Sequence, residues 1–502
     1  MLSVLPMLHA LVSLVSSSSL LVPARNVFLY VDPCQERLHV LPSLERRDCE
    51  CVLLHSRAAA AAILRRLDES ADDADDVRER VDANVVPPVG GEVEWLRTVI
   101  PGDFTLCGVL CGSDGGLADA ERLQHALSPT RSNGINPARR DKYSMVEAMR
   151  AAGLAAAAQA RPRCWDESLS FIRTQKLPVV LKPRRGQASV LVGLAKSEEA
   201  AERMDAVLRD SSVSIDDAGL VQSTDLRCSS PSPSPTPPCD KVVIQQFIEG
   251  EEWVVDTVSR DGEHKALALW RYDKGAANGA PFVYFCDELR PVSGKMEASL
   301  IAYAFEVLDA LGWRWGACHI ELKLALNLQT PLKSELGAEA GKEGDADESG
   351  SAETAPTPVL IEINAGRWNG VEFQQLVSIC TGYDSYEACL DAYLDRSAWD
   401  QIPAAPPQEL RGCARLVKLV SSVEGELAQL PGSAAGHAST LNAMESLLRF
   451  EPEPSEVGEA VSVTVDLATC AGYAHLLHAD ETVVQYDYEA LRKLQPSLFK
   501  VR

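Results

Sequence analysis

The chain has 502 residues, 46% hydrophobic and 24% charged, which places it in the globular range with length for about three domains. Its formal net charge of −24 and pI near 4.9 argue against a general binder of nucleic acid or anionic membrane, because phosphate backbones are held by clustered Lys and Arg. Any polyanionic ligand must meet a local basic patch. The 14 cysteines, with no CxxC pair or Cys/His knuckle, point to a reduced protein without zinc.

The opening stretch MLSVLPMLHALVSLVSSSSLLVPA is apolar, Ser-rich and free of acids, yet lacks a basic start. Residues 1–25 therefore read as a targeting or disordered segment, and Ser and Pro disfavour a spanning helix, which needs about 20 apolar residues. The expected compartment is the cytoplasm, or an organelle if this segment is a targeting signal. From Asn26 the chain alternates strand-like runs (NVFLYVDP, CECVLLHS, LCGVLCG) with helical ones, the pattern of a parallel α/β domain over residues 26–138. The turn Gly112-Ser113-Asp114-Gly115-Gly116 precedes the helical run LADAERLQHAL and is open to two readings, an anion-receiving helix start or a plain tight turn.

A second region, 139–400, starts at RRDKYSMVEAMRAAGL, where Met145, Met149 and Leu154 mark an amphipathic helix closed by Gly153. Two polar segments interrupt it, 209–239 (with SSPSPSPTPPC) and 333–358 (KSELGAEAGKEGDADESGSAETAPTP), which lack apolar content and read as disordered, solvated insertions. From 401 to 502, the runs ARLVKLVSSVEG, AVSVTVDLA and YAHLLHA predict strands of a small α+β domain ending in a helix.

The chemistry concentrates on two strands flanking the second insertion, HIELKLALN from His319 and VLIEINAGRWNG from Val359. Strand alternation puts His319, Glu321 and Lys323 on one face, and Glu362 and Asn364 on one face opposite Ile361 and Ile363. If the insertion is a hairpin tip, the strands pair and Glu321 stands beside Glu362 and Asn364. Oxygen-only ligands of this kind suit Mg2+ or Mn2+, with phosphate oxygens completing the shell. The plainer alternative is a solvated hairpin face on which Lys323 and Arg367 pair with the two glutamates. Upstream, LPVVLKPRRG brings Lys182 in at the end of an apolar strand, as a compact cation for a phosphate. The next strand, KVVIQQFIEGEEWVVDTVS, bends at Gly250 and carries Glu252 just beyond, where a carboxylate can take ribose hydroxyls.

This order of elements resembles the ATP-grasp superfamily from about Asn26 onward, most sharply from Arg139 to Asp391. The WRYDK, HIE and GYD runs are most similar to its L-amino acid ligase and carnosine synthase branch. The resemblance implies an α/β and α+β multidomain fold: a pre-ATP-grasp parallel α/β domain, a nucleotide domain of two α+β subdomains, and a small C-terminal α+β domain. It implies ATP and Mg2+ (or Mn2+) as cofactors, with Lys142 and Lys182 on phosphates, Gln245, Gln246, Phe247 and Ile248 along adenine, and Glu252 on ribose. Glu321, Glu362 and Asn364 would hold the metal and Arg367 would steady the transferring phosphate. Two departures stand out: the loop after Lys182, RRGQASVLVG, is poorer in Gly and Ser than the family pattern, and Gln245 and Gln246 replace an acid and a lysine.

The implied reaction is carboxylate–amine ligation through an acylphosphate, on amino acids or other small carboxylic acids. The alternatives are carboxylation or carbamoyl-phosphate chemistry, or an ATP-binding regulatory protein without turnover. His319 is either a helper that takes the amine's proton or a neighbour of Glu321, the latter preferred. The expected partners are small molecules, with no nucleic acid and no stable membrane span. The sequence is silent on oligomeric state, a homodimer being compatible with it.

Overall fold

The computed structural model describes residues 25–69, 79, 81, 84–128, 131–186, 190–210, 213–215, 221–223, 241–326 and 356–502. Nearly all of the expected leader, most of the first insertion and most of the second lie outside the described residues. Inside the first insertion, Val213–Ile215 pairs antiparallel with Val221–Ser223. The cysteines of the described residues are free thiols. No helix among the described residues is long and apolar enough to cross a membrane.

Near the N-terminus, the strand Arg25–Val31 lies between Cys49–Leu54 and Phe104–Cys111, parallel to both. It is apolar on both faces because both are covered. Val27, Leu29 and Val31 pack with Leu54, Leu96 and Leu123, while Phe28 and Tyr30 pack with Tyr393 and Trp399. Lys142 opens the helix Lys142–Ala151, where the Asp141 carboxylate accepts from Ser144 N at 2.9 Å. Met145 and Met149 are buried, and Gly153 at φ +73° closes the helix as Leu154 N donates back to Met149 O.

A four-stranded antiparallel sheet runs Gln159–Ala160, Val242–Gln246, Val179–Pro183, Gly193–Ala195. Ile172, Ala201 and Leu208 of the helices Trp165–Gln175 and Glu198–Arg209 cover one face of it. The larger sheet has eight strands, ordered Thr357–Ala365, Gly316–Ala325, Glu252–Arg260, Glu263–Ala277, Ala280–Arg290, Cys413–Lys418, Gly472–His478, Leu447–Pro452. It runs across the division expected at residue 400, through the pairing of Ala280–Arg290 with Cys413–Lys418. The helix Lys295–Ala310 buries Leu300, Ala304, Val307 and Leu308 against Ile320, Leu322 and Ile363. That apolar contact claims one face of the two glutamate-bearing strands and leaves the other for polar groups.

One strand expected from the sequence needs correction, and one strand was not foreseen. Of AVSVTVDLA only Ala460–Val461 is strand. The rest is a loop held by side chains instead of a ladder, with Thr464 Oγ1 accepting from Ser421 N at 3.0 Å and Thr469 Oγ1 accepting from Val465 N at 2.9 Å. Leu447–Pro452, not anticipated, supplies the edge strand instead.

The bend at Gly250 is imposed by a close approach. Its φ is +140°, and a Cβ there would stand 1.8 Å from Leu324 O, because Leu324 N and Leu326 N donate to Glu251 O and Glu249 O on either side. Gly250→Ala is expected to cost about 2–4 kcal/mol, through backbone strain and a clash with backbone that cannot rotate away. A urea-unfolding midpoint unchanged in Gly250→Ala would show that the bend relaxes freely.

Candidate functional site

The cleft between the two sheets has one wall from Val180, Lys182 and Pro183 with Gln245–Ile248, and the other from Glu252, Lys274, Glu321, Lys323, Ile361 and Glu362; Lys142 also borders it. It is open, about 810 Å³ with its mouth included. Four lysines (Lys142, Lys182, Lys274, Lys323) face three glutamates (Glu252, Glu321, Glu362), so the lining is positive by one charge in a chain of net charge −24. This is the local basic patch that a polyanionic ligand requires.

The hairpin pairing expected from the sequence is present: Glu321 is the register partner of Glu362, and His319 of Asn364. The register shifts between Glu321 and Leu322, leaving Ile361 without a partner. This bulge turns Ile361 into the cleft together with Glu362, so the two do not lie on opposite faces as simple alternation predicts. Asn364 and Arg367 lie next door, in a larger cavity that shares Glu321 and Glu362 and is also lined by Asp114, Tyr272, Asp287 and Lys418.

The two glutamates are neutralised by cations other than Lys323 and Arg367. Lys142 Nζ lies 2.5 Å from Glu362 Oε1 and donates to Gly186 O at 2.6 Å. Burial would raise the Glu321 carboxyl, but Lys274 and His319 hold it down to about 2, so it is a permanent anion. Lys323 donates to Ile248 O at 3.2 Å, and Arg367 Nη1 donates to Asp114 Oδ1 at 2.7 Å. That last contact fixes Asp114 of the Gly112–Gly116 turn. Gly112 N and Gly116 N are bonded to Val31 O and Ser113 O, so those two amides are not free for an anion.

Glu252 pairs with Lys274, the ammonium of which also sits 3.8 Å from the Tyr284 ring centroid. Burial works to lower the Lys274 ammonium, but Glu252, Tyr284 and Glu321 raise it above the ordinary lysine value. Lys182 is 5% exposed, and burial together with Lys142 pushes its ammonium down to about 8. His319 is 1% exposed; its Nδ1 lies 2.8 Å from Asp256 Oδ1, and its Nε2 lies 3.2 Å from Tyr272 Oη and 3.7 Å from Glu321 Oε1. Despite burial, Asp256 and Glu321 raise it to about 9, which fixes it as a cationic neighbour of Glu321 and disfavours a proton-accepting role.

Lys274, Asp256, Tyr272 and Tyr284 are the site residues that sequence reasoning missed. Asp256 left one usable signal, as a lone acid within the apolar run WVVDTV, opposite His319 in the strand register.

No group of three or more His, Cys, Asp or Glu side chains able to hold a metal occurs among the described residues. Glu321, Glu362 and the Asn364 amide oxygen nevertheless form an all-oxygen set with one permanent anion, which fits a hard dication whose shell is completed by a ligand's oxygens.

No protein-family model matches the chain. It is 29% identical over 260 residues to dapdiamide A synthase of Enterobacter agglomerans, a match covering 51% of this chain and 55% of that protein. The chain thus spans about half the length of this curated relative. An L-amino acid ligase from Bacillus licheniformis superposes with a TM-score of 0.58 at 17% identity, over 95% of this chain and 99% of that one. An N5-carboxyaminoimidazole synthase from Aspergillus clavatus, in complex with ADP and an aminoimidazole ribonucleotide, gives 0.53 at 14% identity over 94% and 99%. Two sheets closing on one cleft, with full-length likeness to these enzymes, give the chain the ATP-grasp fold.

Proposed function

We propose that the chain is an ATP-dependent carboxylate–amine ligase acting on amino acids or small carboxylic acids. The observation that supports it most is the convergence of Lys142, Lys182, Glu321 and Glu362 on one cleft from both sheets. Lys142 and Lys182 bind phosphates; a phosphate arriving there draws Lys142 off Glu362 and frees that carboxylate. The backbone of Gln245–Ile248 lies along adenine, which is why Gln245 and Gln246 are tolerated in place of an acid and a lysine, and Glu252 takes ribose hydroxyls. Glu321, Glu362 and Asn364 hold Mg2+, which when bound neutralises charge on the phosphates. The substrate carboxylate attacks the γ-phosphorus, the bond to ADP breaks, and an acylphosphate forms. The amine nitrogen then attacks the acyl carbon, phosphate leaves, and the nitrogen sheds a proton. The chain contributes position and charge, with Lys182 and Arg367 offsetting the phosphoryl group's negative charge.

The test is phosphate release from ATP and Mg2+ across single amino acids, amino-acid pairs and bicarbonate. Release that requires amino acids supports the ligase. Release with bicarbonate alone supports carboxylation, and ATP binding without release supports a regulatory protein.

Lys182 makes ATP binding pH-dependent. Its ammonium, lowered to about 8, is charged below that pH and neutral above it, so affinity is full near neutrality and is lost as pH rises. The dissociation constant for ATP is expected to increase about tenfold between about pH 7 and about pH 9. In Lys182→Arg, which stays charged throughout, that slope disappears. Equal slopes in calorimetric titrations of both proteins would remove Lys182 from phosphate binding.

A further inference from the structure

Behind Arg367, a second pocket opens where the N-terminal sheet meets the helix Ser385–Leu394. Tyr30, Glu36, Trp368 and Tyr386 line it, and it shares Arg367 and Asn369 with the cavity that contains Glu321, Glu362 and Asn364. Glu36 is 8% exposed, and its Oε2 finds no hydrogen-bond partner among the described residues. It begins the helix Arg37–Glu45 without making a side-chain cap bond. Tyr386 Oη is likewise buried and unbonded. The nearby cation, Arg367, is committed to Asp114 at 2.7 Å. Trp368 meets Tyr386 edge to face at 5.9 Å between centroids, so the carboxylate is flanked by aromatic rings.

A buried carboxylate oxygen without a hydrogen-bonded partner is costly, and a fold keeps one where a ligand supplies the partner. An anion is repelled by Glu36, and a neutral apolar group leaves both Oε2 and the Tyr386 hydroxyl unsatisfied. An alkylammonium satisfies the carboxylate and lies against the ring faces. The free space, about 50 Å³, is several times the roughly 10–15 Å³ one water needs, which admits a primary ammonium and a short carbon stem. Arg367 and Asn369, which line both cavities, join this pocket to the one that contains Glu321, Glu362 and Asn364.

We infer that Glu36, with Tyr30, Trp368 and Tyr386, forms the subsite that receives the ammonium form of the amine substrate, Glu36 taking the proton that the nitrogen must lose before it attacks, an assignment that rests on the ligase reading above. Burial raises the Glu36 carboxyl, with Arg367 opposing, which suits the group to take a proton from a bound ammonium.

Two measurements on Glu36→Gln, which keeps the shape and removes the charge, test this. In the first, the acid identified by phosphate release is turned over with hydroxylamine, largely uncharged at neutral pH, in competition with methylammonium. The ratio of amide to hydroxamate is expected to fall roughly tenfold or more in Glu36→Gln; a ratio within about twofold of the wild type, whatever the total rate, overturns the assignment. The second needs no turnover, and so stands even if the chain is not a ligase. Methylammonium chloride, referenced to sodium chloride, is titrated against the protein's tryptophan fluorescence. Saturation in the wild type, weakened roughly tenfold in Glu36→Gln, is expected; no saturation in the wild type, or equal curves, overturns it. Hydroxamate absent from the wild type while methylammonium still saturates would sink the ligase reading and retain an ammonium site.

Discussion

Glu362→Gln is expected to lower amino-acid-dependent phosphate release roughly 10²–10³-fold, the scale of losing one preorganised charge at a developing phosphoryl centre. The substitution keeps the shape and one acceptor oxygen but removes the anion that Lys142 contacts and that, with Glu321, makes the all-oxygen set. Binding and chemistry separate here. On the proposed reading ATP would also contact Lys182 and the Gln245–Ile248 segment, which Glu362→Gln leaves in place, so nucleotide affinity is expected to fall far less than turnover. Folding stability changes little, since Glu362 is about a quarter exposed (25%) and its partner Lys142 keeps a bond to Gly186 O. Single-turnover phosphate release alongside calorimetric ATP binding checks both statements. Turnover within about tenfold of the wild type would take Glu362 out of the metal set, and loss of binding equal to loss of rate would make it a nucleotide anchor only.

How much of this was legible follows from which interactions are local. The parallel strands near the N-terminus announce themselves, because both faces of Arg25–Val31 are covered and the run is apolar throughout. The pairing of Glu321 with Glu362 was legible too, since a polar insertion between two alternating strands leaves a hairpin as the simple solution. The bulge at Ile361 was not, as one unpaired residue leaves no trace in a pattern of period two. Nor were the cations on the glutamates. Lys142 reaches Glu362 across 220 residues, and Lys274 reaches Glu252 from the neighbouring strand, whereas spacing alone nominates Lys323 and Arg367. Arg367 shows the limit most plainly: the family resemblance implies a role on the transferring phosphate, while its structural partner Asp114 comes from a turn in another part of the chain. Glu36 lay in an unremarked helix start and became visible only when burial exposed its lack of a partner.

Lys274→Met is expected to destabilise the fold by about 3–5 kcal/mol, as breaking a buried ion pair on one side does. The Lys274 and Glu252 side chains are each 11% exposed, and the ammonium also helps keep Glu321 ionised. Methionine fills the space between Tyr272 and Tyr284 but leaves Glu252 and Glu321 without that cation. A structural pair and a site pair predict different cycles. If Lys274 mainly balances Glu252, then Glu252→Gln in the Lys274→Met background restores most of the lost stability, giving a coupling of about 1–3 kcal/mol in urea unfolding. If its main duty is toward Glu321, the double variant stays as unstable as Lys274→Met, and phosphate release stays low as well. The larger sheet favours the first outcome for stability and the second for rate. The Glu252 contact is a direct ion pair on the adjacent strand, whereas Glu321 feels Lys274 through space and also has His319, held by Asp256, as its own cation. A coupling near zero between Lys274 and Glu252 would therefore move the structural duty of Lys274 from Glu252 to Glu321.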